Sequence, residues 1–364
     1  MTAAPSVSLL MPVYNREHLL DRVLEKLCEN TTYPEVELVA VNDGSTDRSG
    51  EILRRWRDSG RFPGAFNLIE KPNSGAIDSL NTALNAATGE LCVQLDDDVT
   101  VETPGWIERM VDLITLDESV GVVTGKVVMD SGYLHACGVN VVGPLGWHDR
   151  PSRPLEKTGR RLWLTRAEHP KEGQGGDAEA RVAEVDSGIG CCMMYRREEA
   201  LAVGGYDLAY APVWFDDVDL CLSIRKLGKK VFYLPDVRVI HYFVARRRSE
   251  RWYARFHPRR IAKAIVRRTG GRLPLGMRAA IERRVRVDLD MHFTRPQVLL
   301  LGRHHAYWRE KWGWDARNPD MDEVQRRWGG TEICWATDPE RRAAGERIAR
   351  EYEARRRQPA VPGV

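Results

Sequence analysis

Short apolar runs alternate with amphipathic stretches along the first third of the chain. The apolar runs are predicted to be buried strands and occupy residues 7–13, 37–41, 66–69, 91–95 and 120–124. The stretches with hydrophobic residues at helical spacing occupy residues 17–30, 47–58, 75–87 and 104–116. Alternation of this kind is typical of βαβ units, so we predict an α/β fold with a mostly parallel sheet flanked by helices.

The pattern changes in the rest of the chain. Residues 143–176 are rich in Gly, Pro and charge, which predicts a long loop. Further segments are expected to be ordered: residues 182–196, a helix at 216–227, strands at 230–234 and 237–241, and a charged helix ending at 357. We therefore expect an α/β domain over 1–245, with halves of about 1–125 and 126–245, and a basic helical extension over 246–364. Ser45 or Thr46 is expected to cap the helix at 47–58.

Composition narrows the class of protein. The chain has 364 residues, of which 43% are hydrophobic, and a net charge of only +3, so general disorder and nucleic-acid binding are not expected. None of the seven cysteines has C-x-x-C spacing, no signal-like segment opens the chain, and no apolar run reaches the roughly 20 residues of a membrane span. We expect a cytoplasmic protein. The sequence does not indicate its oligomeric state.

Positive charge is concentrated in one segment. Residues 246–290 contain 15 Lys or Arg against 4 Asp or Glu. This segment could contact the inner membrane surface peripherally, a diphosphate-lipid acceptor or an anionic polymer, or it could be a solvated helix face. The Trp-rich run at 307–314 leaves two alternatives, closure over a substrate or a packing seam. The neighbouring His304 and His305 lack acids at metal-ligand spacing.

Three adjacent carboxylates, Asp96, Asp97 and Asp98, follow the apolar run at 91–95. Ligands bind beyond the carboxyl ends of strands in an open parallel sheet. Adjacent carboxylates repel one another, so a divalent cation with oxygen ligands, Mg²⁺ or Mn²⁺, would suit the position. The alternative is a solvated acidic turn.

Other polar residues occupy comparable positions. Asp43 lies in an Asn-Asp-Gly-Ser turn after the second strand. Asp216 and Asp217 open a predicted helix, where they could cap it or supply a general base. His241 ends an apolar strand, either as a packed residue or as a metal ligand.

Taken together, these motifs resemble glycosyltransferase family 2, whose members have the GT-A fold. The matching stretches, in the order and spacing of the family, are residues 11–16, 41–47, 73–75 with Asn81, 89–98, 188–197, 204–207, 216–220 and 234–241. The resemblance extends over about residues 6–245 and implies that residues 1–245 are a GT-A catalytic domain, with a donor half at about 1–125 and an acceptor half at about 126–245. Two positions depart from the family pattern: Asp216 replaces the usual Glu, and Val99 replaces a frequent acid.

The resemblance implies roles for individual residues. The nucleotide-sugar donor would be bound by Pro12, Val13, Tyr14, Arg16, Asp43, Lys71, Asn73, Ser74, Gly75, Asp96 and Asp97. The divalent metal, Mn²⁺ or Mg²⁺, would be bound by Asp98, Asp96 and His241. Asp217 would be the catalytic base, with Asp216 beside it.

The implied reaction is an inverting transfer from a nucleoside diphosphate sugar, UDP-linked, to an acceptor hydroxyl. The acceptor would be a cell-surface glycan intermediate or a small natural product. The alternatives are a sugar nucleotidyltransferase or a non-catalytic nucleotide-sugar-binding protein. Residues 11–16 lack the Gly-rich basic loop of the former, and the presence of Asp98 and Asp217 disfavours the latter.

Overall fold

A computed structural model describes residues 4–141, 148–149, 171–242, 295–316 and 320–357. The strands are β1 (Val7–Val13), β2 (Val36–Asp43), β3 (Ala65–Lys71), β4 (Leu91–Leu95), β5 (Val99–Val101), β6 (Val120–Met129), β7 (Leu134–Ala136), β8 (Val139–Asn140), β9 (His148–Asp149), β10 (Ala183–Val185), β11 (Cys192–Arg196) and β12 (Lys230–His241). The helices are α1 (Leu20–Asn30), α2 (Ser49–Ser59), α3 (Ala76–Ala86), α4 (Trp106–Ile114), α5 (Asp177–Ala180), α6 (Arg197–Ala202), α7 (Asp216–Lys226), α8 (Arg295–Trp312), α9 (Met321–Trp328) and α10 (Pro339–Arg357). Two 3₁₀ helices span Leu208–Tyr210 and Glu332–Thr337.

The central sheet has the strand order β10-β12-β6-β11-β4-β1-β2-β3, with β5 paired to β12 and β7 to β6. Four of the seven neighbouring pairs along this path are parallel, and each antiparallel pair involves β10 or β11. Because β11 is antiparallel to both β4 and β6, the other strands of the path from β12 to β3 point in one direction. Their carboxyl ends therefore share one edge of the sheet.

The interior of the sheet is apolar on both faces. All seven residues of β1 and all five of β4 are buried, as expected for strands that have helices on both sides. Helix α1 turns its buried side chains Leu20, Val23, Leu24 and Leu27 toward this core. The buried strands place the polar residues that follow them at the carboxyl edge.

Several sequence-based expectations differ in detail from the structure. Helix α2 begins after Arg48, and neither Ser45 nor Thr46 caps it; instead, Asp47 Oδ1 accepts the N–H of Ser49 over 3.0 Å. The two strands expected near the C-terminal end of the catalytic part form the single strand β12, with a register shift between Leu234 and Arg238. Most of the loop expected at 143–176, and the basic segment 246–290, lie outside the described residues.

The C-terminal helices α8 and α10 pack against the part of the chain that contains the central sheet. Trp308, Trp312 and Trp314 are buried in one core cluster, whereas Ile348 and Tyr352 of α10 join the other. The Trp-rich run is thus a packing seam in this structure. None of the seven cysteines, all of which lie in the described segments, forms a disulfide. Among the helices of the described segments, none is both long and apolar enough to cross a membrane.

Candidate active site

A cavity of about 700 Å³ opens at the carboxyl edge of the sheet. Most of the predicted site residues line it: Pro12, Val13, Tyr14, Arg16, Asp43, Asn73, Gly75, Asp96, Asp97, Asp98, Asp216, Asp217 and His241. Lys71 and Ser74 are not among the lining residues, but both donate hydrogen bonds to Asp43, which is. The structure therefore brings all of the predicted residues to one place.

Asp43 organises one end of the cavity. Its Oδ1 accepts from Lys71 Nζ at 2.7 Å and from the N–H of Ser74 at 2.9 Å. Its Oδ2 accepts from Asn73 Nδ2 and from the N–H of Gly75, both at 2.9 Å. Burial acts to raise the pKa of Asp43, but these donors lower it overall, so the carboxylate is ionised at neutral pH. The segment 71–75 is held in place by a single charged side chain.

The three acidic residues after β4 have different surroundings. Asp97 accepts the N–H of Tyr14 at 3.0 Å and Arg16 Nε at 2.8 Å. The second guanidinium arm of Arg16 lies 3.3 Å from Asp98 Oδ2. Even with Arg16 present, burial and the neighbouring carboxylates raise the pKa of Asp97 to about 7. The single guanidinium of Arg16 therefore does not neutralise the negative charge of the three neighbouring carboxylates.

Asp96, Asp98 and His241 present oxygen and nitrogen atoms that lie within 4.8 Å of one another. His241 Nε2 is 3.0 Å from Asp98 Oδ1. Burial and the charge of Asp98 raise the pKa of Asp96 to about 6. Burial opposes ionisation of Asp98 as well, but its bond from His241 lowers the pKa. Two carboxylates and one imidazole are a donor set that fits Mn²⁺ or Mg²⁺, and the cation would relieve their repulsion.

Backbone pairing holds this group together. Strand β12 pairs with β5 so that His241 lies opposite Val99, and the N–H of Tyr242 donates to the carbonyl oxygen of Asp98 over 2.9 Å. The two potential ligands Asp98 and His241 therefore sit on adjacent, hydrogen-bonded backbones, although they are distant in sequence.

Asp217 faces the same cavity from the start of α7. Its Oδ2 accepts the N–H of Gly190 at 2.9 Å and its Oδ1 accepts the N–H of Val218 at 2.8 Å. Burial raises the pKa of Asp217, and the two backbone bonds offset part of that rise. Burial and the charge of Asp217 raise the pKa of Asp216 well above its usual range. The pair thus suits one protonated acid beside one ionised base.

The turn that leads into α7 has an unusual backbone. Trp214 has φ 75° and Phe215 has φ 71°, the left-handed region that bulky residues seldom adopt. Each such residue costs about 1–3 kcal/mol unless its surroundings hold it. The turn brings Trp214 and Phe215 to the cavity wall beside Asp217.

Some lining residues were not identified as site residues from the sequence. They are Ala76, Leu80, Gln94, His135, Val139, Ile189, Gly190, Cys191, Pro212, Val213, Trp214, Phe215 and Val218. The ring of His135 lies 5.7 Å from that of His241, edge to face. His135 belongs to the three-residue strand β7, which carries no clear alternation. Gly190 could have been suspected, because it lies two residues before strand β11, which pairs with β4.

Comparisons with known proteins agree with this geometry. The family model described as Glycosyl transferase family 2 matches residues 8–200, more than half of the chain. The O-antigen biosynthesis protein RfbC of Myxococcus xanthus is 30% identical over 249 residues, which are 68% of this chain and 18% of RfbC. The uncharacterized protein y4gI of Sinorhizobium fredii is 27% identical over 253 residues, 69% of this chain and 26% of y4gI. The chain therefore spans about a fifth to a quarter of the length of these relatives.

Among solved structures, the crystal structure of GalNAc-T7 with UDP, GalNAc and Mn²⁺ aligns with a TM-score of 0.50 and 16% identity, over 67% of this chain and 45% of that one. This likeness concerns the fold, and it confirms the predicted GT-A architecture: a mixed central sheet flanked by helices, with a helical C-terminal region. On the family match, the ordered motifs and this fold, the chain belongs to glycosyltransferase family 2.

Proposed function

We propose that this glycosyltransferase moves a sugar from a UDP-linked donor to an acceptor hydroxyl, with inversion at the anomeric carbon. The observation that carries the proposal is that one cavity contains both a donor set suited to a divalent metal and the half-buried, ionisable side chain of Asp217. The two groups are close enough that the charge of Asp217 contributes to the raised pKa of Asp96. Leaving-group stabilisation and base catalysis would therefore act on the same bound sugar.

The donor would lie along the carboxyl edge of the sheet. Asp43, with the segment 71–75 that it holds, forms the end for the nucleotide base, and Asp97 with Arg16 lies nearer the ribose and diphosphate. Lys71 and Ser74 act behind the surface by fixing Asp43. A divalent cation bound by Asp96, Asp98 and His241 would neutralise charge on the departing nucleoside diphosphate. GalNAc-T7, which shares the fold, was solved with UDP and Mn²⁺.

Asp217 would take the proton from the acceptor hydroxyl as its oxygen attacks the anomeric carbon. The N–H groups of Gly190 and Val218 fix one lone pair on each carboxylate oxygen, and the remaining lone pairs are available to the acceptor. The raised pKa brings Asp217 closer to neutral pH, where a general base works best. Direct attack from the face opposite the leaving group inverts the configuration without a covalent enzyme intermediate.

The acceptor is proposed as a cell-surface glycan intermediate in preference to a small natural product. The support is the similarity to RfbC, a protein of O-antigen biosynthesis. The basic segment 246–290 would bring the enzyme to the inner membrane surface. Sedimentation of the full chain with anionic and neutral vesicles tests that part: binding to anionic vesicles that weakens with salt is expected, and equal recovery with both kinds would contradict it.

Calorimetric titration of UDP, GDP and dTDP, first with Mn²⁺ and then with EDTA, tests the donor site. We expect UDP to bind only with Mn²⁺ and to lose binding in Asp98→Ala. Asp58→Ala is the matched control, because Asp58 is exposed at the end of α2 and away from the cavity. UDP affinity that is the same with Mn²⁺ and with EDTA, and the same in wild type and Asp98→Ala, would contradict the metal assignment. Preference for another nucleotide would reject UDP, and no binding at all would reject this donor class.

A further inference from the structure

We propose that helix α8 positions the catalytic base, through an aromatic cluster that holds the Trp214–Phe215 turn in the conformation that directs Asp217 into the cavity. This inference rests on the function proposed above. It assigns a role to a helix that lies beyond the residues matched by the family model, 8–200, and that contributes no residue to the cavity lining within the described segments.

The turn needs external support. Trp214 and Phe215 both have positive φ, at 75° and 71°, and such backbones persist only where the surroundings determine them. Both residues directly precede Asp216 and Asp217. Any relaxation of the turn would therefore move the first turn of α7 and the carboxylate of Asp217 with it.

The support comes largely from one face of α8. The ring of Phe215 lies edge to face with His305 at 5.0 Å, Trp308 at 5.6 Å and His304 at 5.7 Å. Tyr210 stacks on Phe215 at 5.7 Å with an interplanar angle of 15°. These separations are those of favourable aromatic pairs. Of these four rings, three belong to α8, and together they fix the side chain of the residue with the strained backbone.

Hydrogen bonds from α8 also hold Asp219, which follows the proposed base along α7. Asp219, in the same helical turn as Asp217, accepts Lys311 Nζ at 2.7 Å and Trp312 Nε1 at 2.9 Å. Lys311 also bonds Asp207 at 2.7 Å. Asp219 is only 2% exposed, so these bonds to α8 satisfy a buried charge. Helix α8 therefore contacts residues on both sides of Asp217, namely Phe215 before it and Asp219 after it.

The arrangement predicts different effects on the rate of catalysis and on nucleotide affinity. Since α8 contributes no residue to the cavity lining within the described segments, we expect that loosening its aromatic cluster leaves nucleotide binding intact. Displacing a reacting group by about 1 Å can cost about 10²-fold in rate. A fall in kcat at constant nucleotide affinity is the signature of positioning, whereas general destabilisation would lower both.

The test compares His305→Ala and Trp308→Phe with Trp335→Phe in the full chain. Trp335 is the matched control, because it belongs to the C-terminal part but bonds Asp186 Oδ1, at 2.6 Å, away from the turn. Three quantities are measured: kcat and KM for sugar transfer, UDP affinity with Mn²⁺, and amide hydrogen exchange by mass spectrometry. In the two test variants we expect kcat to fall about ten- to a hundredfold, KM and UDP affinity to stay unchanged, and exchange to accelerate over 211–219 but not in β1 or β4.

Unchanged kcat, or unchanged exchange over 211–219, would overturn the inference. So would a parallel loss of UDP binding, or the same fall in kcat in Trp335→Phe, since both would indicate general destabilisation. A wild-type protein that binds UDP with Mn²⁺ but transfers no sugar would instead reject the proposed function. In that case the exchange measurement still decides whether α8 holds the turn.

Discussion

The N–H of Gly190 donates to Asp217 Oδ2 over 2.9 Å, and there is no room for a side chain at Gly190. A Cβ at this position would lie 2.4 Å from Nε2 of Gln94, whose Oε1 is held by the hydroxyl of Tyr206. Gly190, whose N–H donates to the proposed base Asp217, is therefore packed against the side-chain amide of Gln94, which is itself held by a hydrogen bond.

Gly190→Ala should displace the backbone that holds Asp217, because the buried Gln94 is bonded in place. We expect kcat for sugar transfer to fall about 10²-fold with unchanged UDP affinity, measured by steady-state kinetics and calorimetry. Gly302→Ala is the control, since nothing lies within 4 Å of a Cβ built on that helical residue. Full activity in Gly190→Ala would show that the contact does not constrain the base.

Asp217→Asn should remove the base while keeping the shape of the side chain. Loss of a general base typically costs about 10²- to 10⁴-fold in rate, so we expect a fall of that size in kcat. Metal-dependent nucleotide binding should persist, because Asp217 lies outside the donor set of Asp96, Asp98 and His241. Asp58→Asn serves as the control. Retained kcat in Asp217→Asn would assign the base elsewhere.

The stabilising effect of Mn²⁺ should depend on pH. In the folded protein the pKa of Asp96 is raised to about 6 and that of Asp97 to about 7, whereas an unfolded Asp titrates near 3.9. In metal-free protein these two groups therefore stabilise the fold most below about pH 4, and that contribution is lost as pH rises toward about 7. Metal binding needs the ionised carboxylates.

We accordingly expect the rise in Tm caused by Mn²⁺ to be larger near pH 7.5 than near pH 5, measured by differential scanning calorimetry. Asp98→Ala should abolish the rise at both pH values. An equal rise at both, or a rise that survives in the variant, would contradict metal binding at Asp96, Asp98 and His241.

Arg225→Met tests a structural ion pair far from the cavity. Arg225 is fully buried and lies 3.0 Å from Glu184 Oε1, and it also donates to the carbonyl oxygens of Asp186 and Glu332. Removing one partner of a buried pair typically costs about 3–5 kcal/mol, so we expect the free energy of unfolding in urea to fall by about that amount. Arg57→Ala, in an exposed pair with Asp58, should leave the free energy of unfolding unchanged. Equal stability of both variants would show that the Arg225 pair is dispensable.

The parts of the fold that the sequence predicted well are those with local causes. The bounds of β1 and β4 agree with the apolar runs at 7–13 and 91–95 because both faces of these strands are buried. The acidic residues after β4 could be placed at the site because the topology brings strand ends to one edge, and those at the start of α7 were assigned from the family resemblance. These residues belong to short sequence motifs, which can be found from the order of the residues along the chain alone.

Other features depend on partners that are distant in sequence. Strand β5 has three residues and exists because β12 pairs with it. Two strands were expected at 230–234 and 237–241, yet β12 continues through the residues between them, with a register shift between Leu234 and Arg238. The cluster of Phe215 with His305 and Trp308 joins segments whose own patterns indicate only helices and turns. Periodicity gives no information on such pairs.

Asp98 and His241 sit on neighbouring backbones joined by the bonds of β5 to β12 and of Tyr242 to Asp98. Widening the gap between the two side chains would require a whole strand to slip, and a slip of one residue would turn its side chains to the opposite face. The size of the cation that this proposed site would accept is thus set by the spacing between two strands. A change in the loops around the rest of the cavity would alter the fit of sugar or acceptor and leave the distance between Asp98 and His241 unchanged.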